Sequence, residues 1–204
     1  MENKHITDLK EIKDIMNRST RFISLSGLSG ISTGIVALAG VLLAYFLIFK
    51  EQDYLVYQSV ELSIETLKYL LFITIGTLIL AIGAALFFTA IKTKNLNQKA
   101  WDIQTKRLLI NLAIPLFTGG LLVLMLLQKG FIGMLPPITL IFYGLALVNG
   151  SKYTFTEIRT LGLIDILLGL IAFQFIEYGL LFWAFGFGIM QIVYGLIIQR
   201  KHSS

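Results

Sequence analysis

The chain has no cysteine, three prolines, two histidines and only 14% charged residues among its 204. Each scarcity closes a class of chemistry. Without cysteine there is no disulfide, no thiol nucleophile and no thiolate metal site, and the redox state of the compartment leaves no trace. The histidines, His5 and His202, stand at the two ends of the chain, outside every apolar run. No run therefore carries an imidazole base or an imidazole metal ligand, and neither a metal nor a cofactor is expected. With so few charges, no stretch forms the dense basic patch that a nucleic acid requires. The net charge of +5 is read instead as a topology signal, and no nucleic-acid partner is expected.

What is abundant is apolar surface. Hydrophobic residues make up 56% of the chain, and the mean hydropathy of +0.79 lies far above that of soluble domains. From Arg21 to Lys50 no charge interrupts the sequence, long enough for a membrane-spanning helix of about 20 residues. Its residues divide into two faces. Ser26, Gly30, Thr33, Ala37, Gly40 and Ala44 form a small stripe, widened by Gly27 and Gly34. Leu28, Ile31, Ile35, Leu38, Leu42, Tyr45 and Phe49 form a bulky one. In lipid no hydrophobic force pulls helices together, so a small stripe is where another backbone comes close enough for dispersion to hold it. The rest of the protein is expected to pack there, with the bulky face toward lipid.

Six spans follow from the apolar runs, at about 22–49, 69–91, 108–127, 131–150, 155–176 and 178–198. Residues 1–20 precede them, with Ile6, Leu9, Ile12 and Met16 on one face of a short amphipathic helix, and 199–204 form a tail. The predicted fold is all-α, a polytopic bundle of three hairpins. The opening charged stretch and the length of the first apolar run argue against a cleavable signal. In the six-span alternation, fourteen of the seventeen basic residues fall on one side, leaving Lys50, Lys68 and Lys129 on the other. The positive-inside rule then places both termini in the cytoplasm.

Local signals refine the spans. Thr74, Thr77, Ala81 and Ala84 give the second span its own small stripe, which makes it the natural partner of the first. Trp101, in the basic loop between the second and third spans, suits the headgroup level. Pro115 removes the amide that would have bonded the carbonyl of Asn111, so a kink and one free acceptor are expected in the third span. Pro136-Pro137 breaks the fourth span near its start. The strings LIFYGLAL (140–147) and QIVYGLII (191–198) are alike, which suggests that the hairpin of spans three and four was duplicated into spans five and six.

Chemistry has few candidates. Gly27-Leu28-Ser29-Gly30 resembles the GxSG element of rhomboid-type intramembrane proteases, but with no histidine in a span Ser29 has no base, and no catalytic residue is assigned. Asp165 is the only charge deep in a span, roughly 9 Å below Arg159 at about 1.5 Å per residue. It shares the small stripe of Gly162, Gly169 and Ala172. Gln191, Asn111, Tyr143 and Tyr194 reach similar depths, so a polar cluster is available in the cytoplasmic half. The preferred reading is a hydrogen-bonded structural clamp; the alternative is a proton, cation or small-ligand site.

The opening Ser19–Gly30, STRFISLSGLSG, resembles that of a group of small multi-pass membrane proteins from Bacteroidetes-type bacteria, over residues 6–45. The resemblance implies a bacterial inner membrane and no particular reaction. The expected function is non-catalytic: a membrane-embedded interaction, regulatory or sensing component. Its partners would be the lipid bilayer, a cytosolic protein at the N-terminal helix, and further copies of itself. A small transporter or channel subunit using the cluster at Asp165 is the alternative, and a membrane-lipid enzyme comes third.

Overall fold

The computed structural model describes residues 26–49, 64–95 and 103–202. The amphipathic segment 1–20, residues 50–63, Trp101 and His5 lie outside them. Every long element is a helix, and no strand occurs among the described residues. In chain order they are α1 (Gly27–Ala44), continued by the π-helix Tyr45–Phe49, α2 (Ile64–Asn95), α3 (Ile103–Gln128), α4 (Leu135–Gly150) and α5 (Thr156–Gln174). A short α6 (Gly179–Trp183) passes through the π-helix Ala184–Met190 into α7 (Gln191–His202). Five stretches are long and apolar enough to cross a membrane: Gly27–Ile48, Glu65–Lys94, Ile103–Gln128, Ile132–Tyr153 and Ile176–Lys201. Their outward faces are apolar, with Phe72 80%, Phe117 70% and Leu47 69% exposed. Water would not tolerate such a surface and lipid does, which marks the chain as a membrane protein. Helix α5 stands apart because Glu157, Arg159 and Asp165 lie within it.

Two sequence expectations change at the prolines. Pro136 and Pro137 do not break the fourth apolar run; they lie in the first turn of α4, where the amides they lack would have had no helical partner. The carbonyl of Asn111, freed by Pro115, is not left free: Asn149 Nδ2 donates to it at 2.9 Å, so α4 supplies the bond that α3 lost. The turn between them is closed by Gly130, whose φ of +79° admits bonds from Gly130 N to Leu127 O and from Phe131 N to Leu126 O. Those two bonds are the Schellman end of a helix.

The small stripe of α1 is a packing face, as expected, but its main partner is the last helix. A Cβ on Gly27 would stand 2.5 Å from Gly195 O, and one on Gly34 would stand 2.7 Å from Gly188 O. The second helix meets the stripe only farther along, where Thr77 fills the space beside Gly40. Thr74, by contrast, is exposed and bonds its own helix at Leu70 O. Ala37, Gly40 and Ala44 are buried. Thr33 returns its hydroxyl to the carbonyls of Ser29 and Gly30 at 2.9 Å, so it adds no bond between helices. The bulky face is split: Leu28, Ile35 and Leu42 are exposed, whereas Ile31 abuts Gly195 and Leu38 lies over Gly188. Leu38 therefore does not face lipid, because the glycine opposite it opens a hole that a leucine fills.

The same packing occurs twice. A Cβ on Gly34 would meet Ile192 Cγ1 at 2.6 Å and Gly188 O at 2.7 Å; one on Gly169 would meet Ile141 Cγ1 at 2.6 Å and Pro137 O at 2.8 Å. Gly195 approaches Gly27 O and Ile31 as Gly144 approaches Gly162 O and Ile166, and Gly27 lies on Gly195 O as Gly162 lies on Gly144 O. So α1 with the last helix, and α5 with α4, are two copies of one antiparallel pair. The sequences agree: GLSGISTGIVA (27–37) matches GLIDILLGLIA (162–172) at both glycines of the contact, and the two YGL strings hold matching places in α4 and α7. So α4 and α7 correspond, as the sequence suggested. Their partners, though, are α5 and α1, whereas α3 meets a different face of α4, with Gly119 against Phe142 and Gly150 against Leu112.

Candidate functional site

Asp165 is fully buried, with 0% of its surface exposed. It occupies in α5 the position that Gly30 occupies in α1, one turn beyond the glycine at the helix crossing. Room for its carboxylate comes from Gly186 in the π-helix. A Cβ there would stand 3.0 Å from Asp165 Oδ1, 2.5 Å from Leu140 Cδ2 and 3.6 Å from Leu168 Cδ1. Gly186 thus covers the groove between α4 and α5 with backbone alone.

The expected clamp is only partly formed. Gln191 Nε2 donates to Tyr143 Oη at 2.8 Å, joining α7 to α4. Neither oxygen of Asp165 has a hydrogen-bond partner among the described residues, and Gln191 Oε1 has none either. Asn111 does not reach the carboxylate; its Nδ2 donates to Arg107 O at 2.8 Å within its own helix. Tyr194 is half-buried and packs with Leu147, Phe155, Ile158, Leu161 and Ile198. Tyr143 and Tyr194 both lie within electrostatic reach of Asp165. The Tyr143 ring also rests 4.8 Å from that of Phe187, which rests 4.6 Å from that of Trp183.

The site is therefore rich in acceptors and poor in donors. Three buried oxygens, two of Asp165 and one of Gln191, have no hydrogen-bond partner among the described residues. A bare carboxylate in such a place costs several kcal/mol. A proton on Asp165, or a small cation beside it, removes that cost. No group of three histidine, cysteine or acidic side chains suited to a metal ion occurs among the described residues. Ser29 is buried and donates its hydroxyl to Ser26 O at 2.5 Å, so it is bound into the helix turn, as a packing residue would be.

Sequence reasoning found Asp165, Tyr143, Gln191 and Tyr194 but missed Gly186, which makes the space. Its signal was available in AFGFGIM, residues 184–190, whose two glycines, two residues apart, do not fit one face of a regular helix. Comparison of the chain with protein-family models, with curated proteins and with solved structures gives no match.

Proposed function

We propose that this chain is a six-span protein of a bacterial inner membrane, with both termini cytoplasmic, and that it takes up and releases a proton or a small monovalent cation at Asp165 as a small transporter or channel subunit. The observation that carries this reading is the fully buried carboxylate to which no donor is hydrogen-bonded among the described residues. A structural clamp would have brought a donor to it, and the Gln191 amide, expected in that role, bonds Tyr143 instead.

Counting α5 as a span is supported by where its charges lie. Glu157 and Arg159 are in the first two turns, and Glu157 accepts a 2.5 Å bond from Lys201 Nζ at the end of α7. Asp165 alone is deep. The ends also gather: Lys92, near the end of α2, lies 5.9 Å over the ring of Phe155 before α5, and the start of α1 meets Gln199. Reporter fusions after Lys99, Lys152 and Lys201 are expected to read cytoplasmic, and fusions at Gln58 and Lys129 external. An external C-terminus would remove the six-span reading.

Asp165→Asn tests the site. Asparagine keeps the size and cannot exchange the proton. The variant is expected to accumulate and fold as wild type does, while proteoliposomes containing it relax an imposed pH or sodium gradient no faster than empty vesicles. Gradient relaxation equal to wild type would end the proposal.

A second reading is a non-catalytic regulatory or sensing component, in which residues 1–20 meet a cytosolic protein and copies of the chain associate. It is favoured by the tightness of the packing, since no surface of Asp165 is exposed. Under it, wild type and Asp165→Asn both leave gradients intact, and deletion of residues 2–18 is what abolishes the cellular phenotype.

A further inference from the structure

We propose that the protein moves as two stiff bodies, α1 with the last helix and α4 with α5, and that the charge state of Asp165 sets how closely they fit along the seam at Gly186. The proposal rests on reading Asp165 as the proton or cation site.

Stiffness within each body follows from its glycines. Where Gly27 meets Gly195 O and Gly162 meets Gly144 O, backbone touches backbone, and the side-chain atoms nearest these contacts are Cβ atoms, of Gln199 and Leu147, which no rotamer change moves aside. Between the bodies the contact is of another kind. Side chains meet there: a Cβ on Gly186 of the π-helix would stand against Leu140 Cδ2, Asp165 Oδ1 and Leu168 Cδ1, Gln191 bonds Tyr143, and Met190, Tyr194 and Ile198 pack with Leu147, Ile158 and Leu161. A π-helix holds its residues in a looser register than an α-helix and commonly marks a functional site. The duplication sharpens the contrast: where one pair has Gly30, the other has Asp165, and where one has Leu140, the other has Gln191. Asp165 and Gln191 thus stand where the matching residue of the other pair, Gly30 or Leu140, is apolar.

Closure along this seam requires a neutral site. With a proton or cation on Asp165, Gly186 covers the carboxyl and nothing charged is stranded. Once the carboxylate is bare it needs water, and water reaches it when the π-helix lifts from the groove. The titratable groups within electrostatic reach of Asp165 among the described residues are Tyr143 from α4 and Tyr194 from α7; the π-helix contributes none. On its own helix, Glu157 is paired with Lys201, and that pair joins the two bodies at one end, where it would act as the pivot. Two packed arrangements of a few rigid helices, selected by one local charge, form a switch of the shear or hinge kind.

Because the chain has no cysteine, spin labels can be placed on introduced cysteines with nothing native to remove. Three label pairs on exposed residues suffice: Leu42 with Ile197 within the first body, Leu145 with Ile171 within the second, and Leu28 with Leu163 between them. Distances are measured by double electron–electron resonance in lipid vesicles at about pH 5 and about pH 9, which bracket the change of state of a buried carboxyl. The Leu28–Leu163 distance is expected to shift by about 2 Å or more, the scale of helix shear, while the other two stay fixed. In Asp165→Asn it should hold its acid value at both pH values. Equal shifts within the bodies, or none anywhere in the wild type, would overturn the two-body device. A between-body shift that persists in Asp165→Asn would instead leave the bodies standing and remove Asp165 as their trigger, so the two failures are told apart.

Discussion

Gly34→Leu and Gly169→Leu are each expected to lower stability in detergent by about 3 kcal/mol or more, the upper range for forcing side-chain atoms into a filled contact. The reason is the identity of the atoms in the way. A Cβ at either position would already meet a carbonyl oxygen, Gly188 O at 2.7 Å or Pro137 O at 2.8 Å. Backbone cannot rotate aside as a side-chain end can, so a helix must move bodily. Gly76→Leu and Gly83→Leu in α2, where nothing lies within 4 Å, give the controls and should be nearly neutral. Leu38→Ala falls between, since it uncovers Gly188 without pushing anything apart. Thermal unfolding of the five variants in one detergent ranks them. Gly34→Leu and Gly76→Leu of equal stability would mean that the α1 pairing is wrong, and a mild Gly169→Leu beside a severe Gly34→Leu would break the claimed equivalence of the pairs.

The second large effect is expected at Gly186 and is conditional on Leu140. Gly186→Val alone should cost about 2–3 kcal/mol by overpacking, because Leu140 Cδ2 and Asp165 Oδ1 stand where the new atoms would go. Leu140→Ala alone should cost about 2–5 kcal/mol, as it empties a fully buried position. Together, the cavity of one receives the side chain of the other, and the double variant should be at least about 1 kcal/mol more stable than the sum of the singles predicts. A denaturant or thermal cycle on the four proteins measures this coupling. Strict additivity would show that Gly186 and Leu140 are not in contact, and Asp165 would then lose its cover.

Much of the architecture could be read from apolar runs, because a membrane leaves the backbone few choices and so makes helices legible from composition. Pairing was harder. A glycine stripe says that another backbone comes close, and not which one; α2 packs on α1 as expected, at Gly40 and Ala44, while α7 takes the end of the stripe at Gly27 and Gly30. What could have decided it is the register shared by Gly27, Gly34 and Ala37 with Gly162, Gly169 and Ala172. That match identifies α1 with α5, and the YGL strings then identify α7 with α4. Asp165 was legible because a lone charge in an apolar helix has no ordinary reason to be there. Its want of a donor was not legible, since depth along a helix leaves undetermined the direction in which Gln191 turns, and Gln191 turns to Tyr143.

The doubled pair also has an order in time. In α4 and α5 the contacting glycines are close in the chain, so this pair can assemble as soon as both helices enter the bilayer. Gly27 and Gly34 must wait for Gly188 and Gly195, and at roughly 5–20 residues per second of synthesis that wait is on the order of ten seconds. Throughout it, α1 holds its glycine face open to lipid and to any other helix nearby, including α1 of a neighbouring nascent chain. The last helix is thus a latch on the first, and a ribosome stalled before Gln191 would release a protein whose second pair is built and whose first is left open to membrane quality control.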